Sequence, residues 1–85
     1  MTTLQQDTTY NGWANYETWN VSLWIQNDEP LYRLACEYAR QGRTYGELVA
    51  YLNDCHITQT PDGVSYTDTK LDGIRLNEML QELVD

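Results

Sequence analysis

Asn11-Gly12-Trp13-Ala14-Asn15-Tyr16-Glu17-Thr18-Trp19-Asn20-Val21-Ser22-Leu23-Trp24-Ile25 is the densest apolar and aromatic run of the chain, and it carries all three tryptophans. Read at helical period from Asn15, it shows two apolar sides. Tyr16, Trp19 and Leu23 fall on one, Val21, Trp24 and Ile25 nearly opposite, with Glu17, Ser22 and Gln26 between them. A helix apolar on two sides needs cover on two sides, so the pattern predicts a first helix at the centre of a small core. Asn11-Gly12 is a turn signal that lets Trp13 fold back over the helix start. Asn15 is a good N-cap, because its side chain can accept from a first-turn backbone N–H, and Glu17 then sits at the positive end of the dipole.

Downstream, Asn27-Asp28-Glu29-Pro30 ends this helix and starts a second, with Asp28 as cap and Pro30 in the first turn, where a missing N–H costs nothing. Leu31, Leu34, Ala35 and Tyr38 form its apolar stripe, while Glu29, Arg33, Glu37 and Arg40 alternate in sign on a solvated face. Gly42 is placed to stop it in the left-handed conformation. Thr44-Tyr45-Gly46-Glu47 matches a capping box for a short third helix ending near Asn53 or Asp54. Tyr45, Leu48, Val49 and Leu52 face in, and Glu47, Tyr51 and Asp54 face out. Ile57 to Tyr66, broken by Pro61-Asp62-Gly63, reads equally as a small hairpin or an irregular loop, with Ile57, Val64 and Tyr66 as the inward side chains. A fourth helix is expected from about Leu71 to Val84, capped by Asp68 or Thr69. Leu76, Met79, Leu80, Leu83 and Val84 make its core face, and Glu78, Glu82 and Asp85 its outer side beside Arg75. The reading is a mainly α, compact bundle of about four short helices around the Trp-rich first one, with a turn or small hairpin before the last. Residues 1–10, polar and aperiodic, read as a flexible arm, and residues 11–85 as a single domain.

Charge narrows the function. Five basic against thirteen acidic residues give a formal charge of −8, opposite to what phosphate neutralisation requires, so direct binding to nucleic acid or an anionic membrane is disfavoured. The imbalance is uneven: residues 1–43 hold three basic and five acidic residues, residues 44–85 two and eight. The N-terminal residues lack the apolar core of a signal peptide, and no apolar run reaches transmembrane length, which points to the cytoplasm with Cys36 and Cys55 as free thiols. The sequon Asn20-Val21-Ser22 is then a chance match within a helix. Cys55-His56 and Cys36 do not follow structural zinc spacing, so no metal or other cofactor is expected. One histidine, no nucleophile motif and no phosphate-cradling glycine loop argue against an enzyme.

Asn11-Gly12-Trp13, the run Asn15-Tyr16-Glu17-Thr18-Trp19-Asn20-Val21, then Leu23-Trp24-Ile25 and Asn27-Asp28-Glu29, resemble the signature of a family of small uncharacterised proteins found in bacteria, plasmids and phages. Thr60-Pro61-Asp62-Gly63-Val64 and Leu76-Asn77-Glu78-Met79-Leu80 are similar to that family's second half. The resemblance implies no catalytic residue. It does imply a phage or mobile-element accessory protein.

Two surfaces follow as candidates. Glu47, Asp54, Asp62, Asp68, Asp72, Glu78, Glu82 and Asp85 could together meet the basic surface of a host protein, a nucleic-acid-binding or defence component, by imitating phosphates. Duplex DNA presents one charge per ≈ 1.7 Å of axis, so a single helix with one acid per turn is too sparse, and several elements would have to contribute. The alternative is a structural or assembly module, including a homo-oligomer, that associates through Trp13 and Tyr16 at the mouth of the first helix. A single-strand binder using stacked aromatics comes third, against the net charge.

Overall fold

Helices α1 (Tyr16–Asn27), α2 (Glu29–Arg40), α3 (Tyr45–Asp54) and α4 (Gly73–Glu82) follow one another in the computed structural model, which describes residues 12–85. The expected arm over residues 1–10, and Asn11 of the first turn, lie outside the described residues. Asn15 caps α1 by accepting from the Thr18 N–H at 2.8 Å. A single residue joins α1 to α2: Asp28 sends its own N–H to Trp24 O at 3.0 Å and accepts from Leu31 N–H with its carboxylate. Both halves of the capping box at Thr44 and Glu47 are made.

Helices α2 and α3 end in the same way. After α2, Gly42 N–H meets Ala39 O at 3.0 Å and Arg43 N–H meets Tyr38 O at 2.9 Å, a Schellman closure with Gly42 at φ 73°. After α3, His56 N–H meets Asn53 O at 3.0 Å and Ile57 N–H meets Leu52 O at 2.8 Å, with His56 at φ 63° where glycine is the favoured residue. That closure sets Ile57 against the end of α3. Ile57 was expected to face in, yet it is 44 % exposed at the rim of a cleft, while Val64 and Tyr66 are buried as expected.

Leu48, Leu52, Val21, Ile25, Ala35, Leu76, Met79 and Leu80 form the centre of the core, with Leu31, Leu34, Tyr38, Leu83 and Val84 packed around them. Helix α4 touches each of the other three, and α1 also packs on α2. It begins two residues later than expected. Asp72, not Asp68 or Thr69, accepts from the Arg75 N–H, because Asp68 already turns the chain by accepting from the Lys70 N–H. The helix stops at Glu82 with Leu83 as its cap.

Helix α1 is covered only in part by the side chains its pattern suggested. Val21 and Ile25 are fully buried together with Thr18, Asn20 and Ser22, while Tyr16, Trp19 and Leu23 remain partly accessible. The burial of Thr18 and Asn20 follows from their partners. Asn20 donates to Asp62 at 2.8 Å and accepts from the Thr60 hydroxyl at 2.7 Å, and the Thr18 hydroxyl accepts from the Asp72 N–H at 3.0 Å. Trp24 donates its indole N–H to the same Asp62 oxygen at 2.9 Å, and Asn15 donates to Lys70 O at 2.7 Å. A polar seam thus straps residues 60–72 across α1.

The turn that presents Asp62 is local. Gly63 N–H closes on Thr60 O at 2.8 Å across Pro61 and Asp62, and Gly63 has the positive φ of 90° that such a turn favours. The hairpin alternative reduces to one antiparallel bridge, Gln59 with Ser65, so the segment is a pinned loop rather than a sheet.

Replacing His56 by Gly removes the steric cost of a left-handed side chain, roughly 1–2 kcal/mol, and should raise stability by about 1 kcal/mol after the entropy loss of glycine. Chemical denaturation reads this directly, and an unchanged or lower midpoint would contradict it. In the same assay Leu48→Ala should lose about 2–5 kcal/mol, whereas Ile74→Ala, at a residue 76 % exposed, should stay within about 0.5 kcal/mol.

Candidate functional site

The eight acidic residues of the second half divide into two groups. Glu47 accepts from the Thr44 N–H at 2.9 Å in its capping box, Asp68 accepts from the Lys70 N–H at 2.8 Å, and Asp72 caps α4. Asp62 receives Asn20 and Trp24. Those four carboxylates hold the chain in place. Asp54, Glu78, Glu82 and Asp85 stay exposed without such a task.

Glu78, Glu82 and Asp85 come together along the outer side of α4, with Ile74, Asn77 and Gln81 in the same shallow groove. Ile74 is an aliphatic side chain left in water among carboxylates. Arg75 stands beside them: its guanidinium lies 3.5 Å from Glu82 and 3.8 Å from Glu78, with side chains well exposed on the acidic side. The other face of that guanidinium covers the Trp13 ring at 4.4 Å from the centroid. Trp13 is therefore half-buried under Arg75 and against the core, with part of its surface still accessible. Tyr16, 37 % exposed, tilts against Trp19 at 5.7 Å between centroids.

A second concavity had no signal in the sequence. Between the start of α2, the end of α3 and the pinned loop lies a cleft of about 540 Å³. It forms because the single-residue joint at Asp28 and the closure at His56 bring residues from three separate segments to one place. Cys55 lines it and is exposed, whereas Cys36 is buried on α2.

Hydrogen bonds from Asn20, and then from Trp24, hold Asp62 below its ordinary value of 3.8 against a smaller opposing effect of desolvation. Burial pushes the Tyr45 hydroxyl up, reinforced by Tyr66, and that hydroxyl donates to Tyr66 O at 2.7 Å. Tyr66 is raised by burial and then by the nearby Asp28 charge.

The model of a family of unknown function, DUF7249, matches residues 6–85. The chain belongs to that family. No curated protein and no solved structure matches it. The matched span of DUF7249 takes in both sides of the polar seam, from Asn15 to Asp72. In this member the Asn15-to-Trp24 run and the Thr60-Pro61-Asp62-Gly63 turn are two halves of one contact. Asn15, Asn20 and Trp24 are accounted for by that contact before any binding role is needed.

Because the folded Asp62 carboxyl lies below 3.8, its contribution to stability is present above that value and is lost as pH falls through the lowered folded value. Asp62→Ala should therefore unfold at lower denaturant than the native protein at about pH 7, with the gap narrowing at about pH 3. Asp62→Asn, which keeps an acceptor oxygen, should fall between them and flatten the acid limb. A gap of equal size at both pH values would rule out an ionised Asp62 as the anchor.

Proposed function

We propose that this protein is a non-enzymatic accessory protein of phage or mobile-element type, which binds a host protein through the outer side of α4. The observation that carries this reading is the grouping of Glu78, Glu82 and Asp85 around an exposed Ile74. A predominantly acidic face steers a basic partner and sets the register of approach, and an aliphatic residue within it supplies an apolar anchor. The motif that resembles proteins of bacteria, plasmids and phages supports the setting, and a basic nucleic-acid-binding or defence protein is the partner whose charge fits.

Of the eight candidate acids, Glu47, Asp62, Asp68 and Asp72 are engaged within the fold, and Arg75 offsets part of the charge of Glu78 and Glu82. What remains is sparser than a duplex phosphate track, so the contact is better described as a compact acidic patch on a basic surface than as replacement of a whole nucleic-acid segment. Inhibition would then follow from blocking that surface.

Reversing Glu78, Glu82 and Asp85 to Lys should abolish retention of the partner from host lysate while changing fold stability by no more than about 1 kcal/mol, as expected for exposed ion pairs. The native complex should dissociate in a moderate salt step. A partner retained by the triple variant, or one that resists high salt, would overturn the assignment.

A further inference from the structure

The cleft of about 540 Å³ shares no lining residue with the acidic side of α4, and nothing in the preceding reading uses it. Its volume falls within the roughly 300–1,000 Å³ of ligand-accepting concavities. Leu31, Leu34, Pro30, Pro61, Ile57 and the Trp24 ring supply apolar walls. Among the described residues, Asp28 is the one charged residue in that lining, and although it caps α2 its side chain stays exposed. One of its oxygens makes a long 3.3 Å bond to the Leu31 N–H.

The rim decides what kind of occupant fits. Ile57 and Tyr51 are both 44 % exposed at the edge of the cleft, so a small molecule lodged on the floor would leave them wet. A chain that lays two or three apolar side chains into the cleft and continues over the rim would cover them. Beside Asp28, on a protein of formal charge −8, such a chain gains from a cation and loses from a carboxylate.

We infer that this cleft is a second docking site, and that it takes a short amphipathic segment of a partner protein. The segment offers aliphatic or aromatic side chains to the Leu31–Leu34–Ile57 walls and a lysine or arginine to Asp28. Energy comes from burying the apolar side chains, and the Asp28 contact selects the sign of the flanking charge.

Fluorescence anisotropy with a labelled Leu/Lys amphipathic peptide, and with its Leu/Glu counterpart, tests this on the full chain. The Leu/Lys peptide should bind and the Leu/Glu peptide should not. Ile57→Asp, at an exposed position that leaves the core intact, should weaken binding by at least about tenfold, and Asp28→Asn, which keeps the cap oxygen, by a few-fold. In salt that screens long-range charge, the triple Lys reversal on α4 should bind the peptide within about twofold of the native protein, which separates this site from the α4 patch. Alkylating exposed Cys55 in the native protein should also block the peptide, a check that needs no variant, since Cys36 is buried. No binding, equal binding of both peptides, or loss of binding only in the α4 variant would overturn the proposal. So would a dimer in sedimentation that Ile57→Asp dissolves, since the occupant would then be a second copy.

Discussion

One carboxylate oxygen, Oδ2 of Asp62, accepts from both Asn20 and Trp24, and much of the architecture depends on that shared acceptor. Asn20 is fully buried within a helix, where its amide would be costly without partners. Asp62 satisfies its N–H and the Thr60 hydroxyl satisfies its oxygen, so the loop and the helix each need the other. Thr18 and Asn15 extend the same logic toward Asp72 and Lys70, which place the first residues of α4. A core this small cannot rely on apolar area alone, and the seam adds directional contacts that fix one arrangement of four short helices.

Helix boundaries were legible where a side chain signals them. Asn15, Asp28, Thr44 with Glu47, and Gly42 are all local devices, and each works as its sequence position implies. The core faces of α3 and α4 followed from spacing for the same reason. The missed features are those set by distant partners. Burial of Thr18 and Asn20 in preference to Tyr16 and Trp19 depends on groups tens of residues away, which periodicity does not report. Asp68 or Thr69 was the expected cap of α4, but Asp68 is taken up by its own Asx turn and Asp72 caps the helix instead. His56 in a glycine-type position hid the closure of α3 and with it the direction of Ile57.

The same distinction applies to the candidate site. Counting acids in the second half gave a broad negative surface, but a carboxylate at a helix start or in a turn satisfies backbone N–H groups, and its charge is partly taken up there. The carboxylates outside such bonds are Asp54 and, along the outer side of α4, Glu78, Glu82 and Asp85. The apolar cleft had no linear signature because α2, α3 and the Pro61 turn each contribute only a few of its walls.

The seam also bears on how the molecule opens. Its bonds link residues separated by 55, 54, 42, 40 and 38 positions, whereas the α1–α2 pair meets across the single residue Asp28. Closing loops of that length costs roughly 3 kcal/mol of chain entropy before the first bond is made, so the α1–α2 pair has a kinetic head start and residues 57–72 dock onto it afterwards. Opening the strap means breaking more than the Asp62 bonds, because Thr18–Asp72 and Asn15–Lys70 hold its far end and Val64 and Tyr66 are buried in the core. Because these contacts hold one another in place, the backbone amides of the strap are expected to exchange with solvent as one group and not residue by residue.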